Sequence, residues 1–308
     1  MSPKIHIHDA FKNRSVISMR DFSKDEILEI LRLAKEMKAS PPGETLKGKI
    51  LASCFFEPST RTRLSFEAAM KRLGGNVIGF AEGSSSSMSK KETLHDTLKV
   101  IGEYADLIVI RHPVDGAARL AAEATQRPVI NAGDGSNQHP TQTLLDLFTI
   151  QECQGRLDGL HVAFAGDLKY GRAIRSLAQA ASHFNMRMYF IAPNGLELPQ
   201  QMCEELKRRS ILFSFHQTLQ EVMPKLDIVY MTRIQEERMP NAWTFCNKDY
   251  ILNASMLKGV KPTMKILHPL PRVNEIEPSV DSTPHAHYFE QTRNGVFLRQ
   301  ALLNIILG

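Results

Sequence analysis

The strongest chemical signal in the sequence is a run of alternating hydroxyl and guanidinium side chains, Ser-Thr-Arg-Thr-Arg at residues 59–63. Pro58 ends the apolar stretch before it, so the run is expected to open a helix. Free N–H groups, hydroxyls and guanidinium groups at a helix N-terminus together favour a bound anion. The run therefore predicts a phosphate site. The alternative is an ordinary capped helix with exposed arginines.

Polar side chains also follow other apolar runs. Arg111 follows one of them, and His139 stands among glycines and amides before a predicted helix, as a donor to a polarised oxygen or as a structural histidine. In the second half, Arg172 and Arg233 occupy similar positions. Arginines suit carboxylates through bidentate pairing, although each could also form a surface ion pair. These residues favour a site for small anionic molecules.

Several other chemistries lack the residues that they require. Gly166 and Gly171 are five residues apart, which is not the GxGxxG spacing of a dinucleotide loop. No Ser/His/Asp order or activated cysteine indicates covalent catalysis. No group of His, Asp and Glu has the spacing of metal ligands. We therefore expect neither a metal nor a cofactor.

Short β-branched runs alternate with helical patterns along the chain, which is typical of parallel α/β architecture. We predict strands at residues 50–56, 77–80, 107–110, 129–131, 161–165, 188–192, 211–215, 227–231 and 265–267. We predict helices at residues 64–73, 93–104, 115–124, 141–152 and 295–307. The fold class is thus α/β, with two doubly wound parallel-sheet domains and an interdomain cleft.

The two series of strands set the predicted domain boundaries. Residues 1–140 form the first domain, residues 141–150 a connecting helix and residues 151–289 the second domain. The apolar C-terminal helix, within residues 290–308, is expected to pack back on the first domain. Two polar segments, residues 81–91 and 235–248, are predicted to be loops.

Composition limits the class of protein. The chain has 308 residues, 43% hydrophobic and 23% charged, with a formal net charge of +5. Basic residues are scattered rather than clustered, so nucleic acid is not expected as a partner. No apolar run approaches the roughly 20 residues needed to span a bilayer. The four cysteines, at positions 54, 153, 203 and 246, contain no CxxC pair, which favours reduced thiols in the cytoplasm.

Taken with their order along the chain, these motifs resemble a known family. The run at residues 59–63 is similar to the carbamoyl phosphate signature of the aspartate and ornithine carbamoyltransferases. His139-Pro140-Thr141-Gln142 resembles their His-Pro-x-Gln motif. The resemblance extends from about residue 55 to the C-terminus and includes the segments at residues 111–113, 166–168 and 268–272.

The second half indicates which branch of the family the chain resembles. Position 269 is Pro, where ornithine enzymes have Cys, and Arg233-Ile234-Gln235 resembles the aspartate branch. Arg172 and Arg233 would also repel the cationic side chain of ornithine. The alternatives are a carbamoyltransferase for ornithine or another amino acid, and a non-catalytic relative.

The resemblance implies a role for particular residues. The catalytic residues would be Arg61, Thr62, Arg111 and His139. Carbamoyl phosphate would be bound by Ser59, Thr60, Arg61, Thr62, Ser86, Lys90, Arg111, His139, Gln142, Leu270 and Pro271. Aspartate would be bound by Lys90, Arg172, Arg233 and Gln235.

The resemblance also implies an assembly and a reaction. The chain would form a homotrimer with shared active sites, in which Ser86 and Lys90 come from a neighbouring chain. Regulatory chains could join it in a larger assembly. Alignment on Glu92 favours Lys90 as the loop ligand, with Lys91 where the family usually has glycine. The segment between Phe80 and Glu92 is one residue shorter than in some relatives, which leaves Lys91 as the alternative ligand. The carbamoyl group of carbamoyl phosphate would pass to L-aspartate in pyrimidine biosynthesis, without a cofactor and with the leaving phosphate or His139 accepting the amine proton.

Overall fold

The fold is given by a computed structural model. It describes residues 7–40, 42–82, 91–236, 239 and 250–308, without the side chains of residues 7 and 8. The chain divides into two compact units. Unit 1 comprises Met1–Phe148 and Arg293–Gly308, and unit 2 comprises Thr149–Thr292.

Unit 1 is built on a four-stranded sheet in which all strands are parallel, in the order β2-β1-β3-β4. The inner strands are nearly wholly buried because apolar side chains fill both faces. The strands are β1 (Ile50–Phe55), β2 (Asn76–Phe80), β3 (Leu107–His112) and β4 (Val129–Asp134). The helices are α1 (Ile7–Phe11), α2 (Lys24–Ala39), α3 (Thr60–Arg72), α4 (Leu94–Tyr104) and α5 (Ala117–Ala124).

Local signals in the sequence explain where several of these helices begin and end. Ser23 and Glu26 form a capping box at the start of α2, with each side chain bonded to the backbone of the other residue. The Thr93 side chain accepts a hydrogen bond from the backbone of Asp96 and caps α4. After α3, Gly74 adopts a φ of +80°, a left-handed conformation that glycine adopts without strain.

Unit 2 contains a five-stranded sheet, again entirely parallel, in the order β7-β6-β5-β8-β9. Its strands are β5 (His161–Ala165), β6 (Arg187–Ile191), β7 (Phe213–His216), β8 (Ile228–Met231) and β9 (Lys265–Leu267). Its helices are α7 (Arg172–Ala181) and α8 (Gln200–Arg208). Helix α6 (Pro140–Gln154) runs from unit 1 into unit 2, and α9 (Tyr288–Leu307) runs from unit 2 into unit 1.

The two parallel α/β sheets confirm the predicted fold class. The predicted strands lie within one or two residues of the observed ones in most cases, but β4 continues to Asp134. Helix α3 begins at Thr60 rather than at residue 64, so the polar run forms its first turn. Helix α9 begins at Tyr288, seven residues earlier than predicted, because residues 290–294, between its first two aromatic residues and its apolar segment, are polar. Much of the two segments that were predicted as loops lies outside the described residues, namely residues 83–90 of the first and most of residues 235–248 of the second.

In the part of the chain that the structure describes, no helix has the length and apolar character to cross a membrane. No group of three or more His, Cys, Asp or Glu side chains in that part is arranged as a metal site.

Candidate active site

The polar run at residues 59–63 lies at the junction between β1 and α3. Ser59 is the N-cap residue, but its side chain makes no capping hydrogen bond. Thr60 and Arg61 are exposed in the first turn, and Thr62 is buried at 7% exposure. The first N–H groups of a helix have no intrahelical partner, so this turn offers backbone donors, hydroxyls and one guanidinium group at its start.

Arg63, the second arginine of the run, is directed along the helix instead. Its Nη1 lies 3.2 Å from Oε1 of Glu67, one turn later. The same Oε1 accepts a hydrogen bond of 3.2 Å from Ser53 on β1. Arg63 is therefore paired along the helix, whereas Arg61 lies in the exposed first turn.

Arg111 lies at the end of the central strand β3 and links the loops on both sides of it. Its Nη2 is 3.5 Å from Oε1 of Glu57, in the loop after β1. Its Nη1 donates to the carbonyl oxygen of Ala132 on β4, at 3.4 Å. The side chain is only 13% exposed. Because β1, β3 and β4 are parallel neighbours, their carboxyl ends share one edge of the sheet, and Arg111 stands in the middle of it.

The turn between β4 and α6 is organised around Asp134, a carboxylate at 1% exposure. It accepts hydrogen bonds from the side-chain amides of Asn131 and Asn137 and from the backbone N–H groups of Gly116 and Gln138, at 2.8 to 3.1 Å. These bonds fix the backbone just before His139.

His139 itself is buried at 5% exposure, directly before α6. Its carbonyl oxygen accepts from the N–H groups of Gln142 and Thr143, which closes the first turn of the helix. Gln142 is 8% exposed, and its Nε2 donates to Oδ1 of Asp146 at 2.9 Å. Unit 1 thus places its predicted residues at or just after the carboxyl ends of three neighbouring strands, at one edge of the sheet: Ser59, Thr60, Arg61, Thr62, Arg111, His139 and Gln142.

His112, next to Arg111, is a structural residue. Its Nδ1 accepts a hydrogen bond of 3.1 Å from the N–H of Val114, and its ring packs against Phe56 with centroids 5.2 Å apart. Burial lowers the pKa of His112, although nearby acids oppose the shift. The ring is therefore neutral at pH 7 and holds the turn after β3.

In unit 2, a buried aspartate joins the loops that carry the predicted aspartate ligands. Asp167, at 0% exposure, follows β5. Its Oδ1 accepts from the N–H groups of Lys169 and Tyr170 at 3.1 and 2.8 Å, and its Oδ2 accepts from the N–H of Gln235 at 3.2 Å. Burial raises the pKa of Asp167, and the backbone donors partly oppose the shift. One carboxylate therefore fastens the loop after β8 to the loop after β5.

One predicted arginine of this unit directly follows the loop after β5, and the other lies on the loop after β8. Arg172 is the first residue of α7 and is 8% exposed. Arg233 is half-buried, and its Nη1 donates to the carbonyl oxygen of Ile234 at 3.2 Å. Strands β5 and β8 are direct neighbours, with Ala165 opposite Met231. The structure thus brings Arg172, Arg233 and Gln235 to one edge of the second sheet.

Close backbone contact between these loops requires a glycine after β5. Gly166 has a φ of +117°, and a Cβ atom there would lie 2.1 Å from the carbonyl oxygen of Thr232. No side chain fits at that distance, so Gly166 allows the two loops to meet.

The loop after β9 is held by a second buried pair. Nε2 of His268 lies 2.6 Å from Oε1 of Glu275, and both side chains are at most 5% exposed. Nδ1 of His268 accepts from the N–H of Leu270 at 2.8 Å, so Nε2 is the protonated nitrogen. Burial, the largest single influence, opposes ionisation of Glu275, but the hydrogen bond and electrostatic attraction of His268 together with backbone hydrogen bonds outweigh it, so the pKa is lowered. The pair holds the loop that carries Leu270 and Pro271, at the same sheet edge as Arg233.

Three loop predictions have different outcomes. Ser86 and Lys90 lie outside the described residues. Lys91, the alternative loop ligand, is described and exposed, with a φ of +70°.

The sequence indicated no role for the four buried carboxylates that bind these segments: Asp134, Asp146, Asp167 and Glu275. Asp134 and Asp167 stand next to a glycine directly at a strand end, a pattern that favours side-chain bonds to the following backbone. That pattern is the signal that could have identified them. For Asp146 and Glu275 the sequence carries no such signal.

Comparison with known proteins places this chain among carbamoyltransferases. Residues 14–152 match the family model "Aspartate/ornithine carbamoyltransferase, carbamoyl-P binding domain", and residues 158–306 match "Aspartate/ornithine carbamoyltransferase, Asp/Orn binding domain". The chain is 57% identical over 296 residues to the aspartate carbamoyltransferase catalytic subunit of Chromobacterium violaceum, covering 96% of this chain and 98% of that protein. It is 55% identical over 297 residues to catalytic subunit 2 of Shewanella halifaxensis, covering 96% of each.

Solved structures agree. The catalytic subunit of M. jannaschii aspartate transcarbamoylase superposes with a TM-score of 0.88 at 50% identity, covering 94% of this chain and 97% of that one. The aspartate transcarbamoylase of Trypanosoma cruzi, solved with carbamoyl phosphate and aspartate, superposes with a TM-score of 0.92 at 38% identity, covering 97% and 98%.

Proposed function

The chain belongs to the aspartate/ornithine carbamoyltransferase family, and we propose that it transfers the carbamoyl group of carbamoyl phosphate to the amine of L-aspartate. The products are N-carbamoyl-L-aspartate and phosphate, a step of pyrimidine biosynthesis. The observation that carries the proposal is the pair of arginine-bearing sheet edges, one in each unit, in a chain whose relatives at 57% and 55% identity are aspartate carbamoyltransferases.

The edge of unit 1 suits carbamoyl phosphate. The opening turn of α3 offers the hydroxyls of Ser59, Thr60 and Thr62 together with its own N–H groups, and these favour the dianionic phosphate. Arg61 adds charge at the same turn. Arg111 stands between the loops after β1 and β4, where it can reach both the phosphate and the carbonyl oxygen.

The edge of unit 2 suits a dicarboxylic amino acid. Arg172 and Arg233 stand on adjacent loops that Asp167 fastens together. A guanidinium group pairs with a carboxylate through two parallel hydrogen bonds, so two arginines match the two carboxylates of aspartate. Gln235 adds a polar group beside them. The backbone carbonyls of Leu270 and Pro271, on the neighbouring loop, would accept from the carbamoyl amine.

The chemistry needs no covalent intermediate on the protein. Arg61, Thr62, Arg111 and His139 polarise the carbonyl of carbamoyl phosphate and stabilise the oxyanion that forms when the aspartate amine attacks. The tetrahedral intermediate then collapses with loss of phosphate. The amine proton passes to the departing phosphate, and His139 acts as a hydrogen-bond donor to the carbonyl oxygen.

A pair of arginine variants on one helix tests the carbamoyl phosphate site. Arg61→Ala removes a charged donor to the oxyanion, and such a loss lowers kcat by about 100- to 1,000-fold. Arg72→Ala is the matched control, because Arg72 is an exposed arginine at the other end of α3. Steady-state phosphate release measures both. Equal activity of the two variants would rule out the role given to Arg61.

The acceptor is tested by supplying aspartate, ornithine and other amino acids with carbamoyl phosphate and identifying the carbamoylated product. We expect product with aspartate. Arg233→Ala should raise the KM for aspartate by about 10-fold or more, since it removes a bidentate carboxylate contact. Arg208→Ala, an exposed arginine on α8, is the control. Faster transfer to ornithine, or no transfer to any amine, would refute the assignment.

We further propose a homotrimer in which Ser86 and Lys90 complete the active site of a neighbouring chain. Apolar side chains of unit 1 support a subunit interface: Leu64 on α3, Ile78 on β2 and Tyr104 on α4 are 41% to 63% exposed. Mixing Arg61→Ala chains with Lys90→Ala chains tests shared sites, because hybrid trimers contain sites with neither substitution. Absence of any recovered activity in the hybrids would contradict this arrangement.

The wider assembly and location follow from the same proposal. Regulatory chains could join the trimer, and the mass of the complex purified from its native source decides this. A cytoplasmic location is supported by Cys54, Cys153 and Cys203, which are free thiols in the described structure.

A further inference from the structure

A fully buried arginine fastens the last helix to the helix that opens the phosphate site. Arg299 on α9 is 3% exposed. Its Nη1 donates to Oγ of Ser65 on α3 at 2.9 Å and to the carbonyl oxygen of Gly295 at 3.1 Å. Its guanidinium group also lies over the ring of Phe66, 4.9 Å from the centroid. Arg299 therefore contacts α3 in the turn that follows residues 59–63.

An acid on α6 acts electrostatically on Arg299. Burial lowers the pKa of Arg299 to about 10, and the negative charge of Asp146 opposes that shift. Asp146 is itself 0% exposed. An unpaired charge of either sign would be strongly destabilising in such surroundings, whereas the two together compensate each other.

Asp146 also fixes the orientation of the side-chain amide of Gln142. Its Oδ1 accepts from Nε2 of Gln142, one helical turn earlier, at 2.9 Å. A carboxylate can only accept, so the amide nitrogen of Gln142 must face it. The amide oxygen is then directed away from Asp146. The NH₂ of a carbamoyl group is a donor and needs an acceptor, which the Gln142 oxygen provides. A Gln142 amide in the opposite orientation would place its own NH₂ against the substrate NH₂, donor against donor.

We propose that Asp146 and Arg299 are positioning residues for recognition of the carbamoyl amine: the charge pair holds the Gln142 amide with its oxygen toward the substrate NH₂. The inference rests on the proposed function and deepens it. The recognised ligand class is an acyl phosphate whose acyl group carries an NH₂. The same arrangement discriminates against acetyl phosphate, which has a methyl group in place of the amine and can donate no hydrogen bond there.

The experiment measures dissociation constants of the assembled protein for carbamoyl phosphate, acetyl phosphate and inorganic phosphate. Asp146→Ala removes the acceptor, but it leaves the charge of Arg299 buried and could prevent folding. The double variant Asp146→Leu/Arg299→Met removes both charges and replaces them with apolar groups, a change that is often neutral for stability. Gln142→Leu removes the amide itself. Arg293→Met, an exposed arginine on the same helix α9, is the matched control.

We expect the double variant to lose preference for carbamoyl phosphate without losing affinity for phosphate. The preference for carbamoyl phosphate over acetyl phosphate should fall by about three- to tenfold in the double variant, approaching the value of Gln142→Leu, because one hydrogen bond is lost. Affinity for inorganic phosphate should stay within about twofold of the wild type, since that anion has no amine. Arg293→Met should keep the full preference.

Different results would refute the positioning role of Asp146 and Arg299 and the proposed function. A folded double variant that keeps the wild-type preference, or that weakens all three ligands equally, overturns the positioning role alone. A wild-type protein that binds carbamoyl phosphate no better than acetyl phosphate, and transfers no carbamoyl group, overturns the proposed function.

Discussion

Replacing Asp167 with asparagine changes one atom at the junction of the two loops that carry Arg172, Arg233 and Gln235. Oδ1 of Asp167 accepts from two N–H groups in its own loop, and Oδ2 accepts from the N–H of Gln235. An asparagine would keep its oxygen toward the two donors of its own loop. Its NH₂ would then face the N–H of Gln235, donor against donor.

The expected rise in the KM for aspartate follows from loss of the hydrogen bond between Asp167 and Gln235. A hydrogen bond to a charged group contributes about 1.5 to 3 kcal/mol, and 1.36 kcal/mol corresponds to a factor of ten. If all of this free energy were lost from aspartate binding, the KM for aspartate would rise roughly 10- to 150-fold. Because the loop can relax, we expect a rise at the lower end of this range, about tenfold. Asparagine also removes a charge that burial disfavours, as the raised pKa of Asp167 shows. We therefore expect the free energy of unfolding to change by less than about 2 kcal/mol.

The assay is steady-state carbamoyl transfer with each substrate varied in turn, together with urea unfolding. Asp167→Asn should raise the KM for aspartate and leave the KM for carbamoyl phosphate within about twofold of the wild type. Asp158→Asn is the control, because Asp158 is an exposed aspartate shortly before β5. An unchanged KM for aspartate in a folded Asp167→Asn protein would refute the role of Asp167. An equal rise for both substrates would show a general structural defect instead.

Two further predictions concern the same unit. The lowered pKa of Glu275 means that its bond with His268 stabilises the fold above its ordinary pKa of 4.5 and that this contribution is lost as the pH falls further. Glu275→Gln should therefore have a lower free energy of unfolding in urea than the wild type at pH 7, and the difference between the two proteins should become smaller below pH 4.5. The same difference at both pH values would contradict this prediction. Gly166→Ala should lower the thermal midpoint much more than Gly259→Ala, because both glycines have a positive φ but only at Gly166 would a Cβ meet the Thr232 carbonyl. Equal shifts would show that the close approach is unimportant.

Much of the fold and part of the site could be predicted from local patterns. Alternation of β-branched runs with helical segments indicated the parallel sheets. Polar residues after Phe55, Ile110 and Met231 indicated the sheet edges at which Arg61, Arg111 and Arg233 lie. Boundaries were less predictable. The start of helix α9 at Tyr288 was not predicted, because residues 290–294 are polar and separate the first two residues from the apolar periodicity of the rest.

The residues that hold the loops in place could not be predicted in the same way. Asp167 and Gln235 are 68 positions apart, and the hydrogen bond between them exists only because β5 and β8 are neighbours in the sheet. Arg299 and Ser65 are 234 positions apart. In the sequence, Asp146 and Arg299 look like ordinary charged residues of two helices.

The sequence by itself determined which chemical groups are present and where along the chain each strand gives way to a polar loop, because strand and helix periodicity and the turn preferences of glycine and proline are local properties. The tertiary structure alone decided which carboxylates are buried and which distant backbone N–H groups they accept from. The order of the strands makes β5 and β8 neighbours, and only this neighbourhood lets Asp167 bind the loop that carries Arg233 and Gln235.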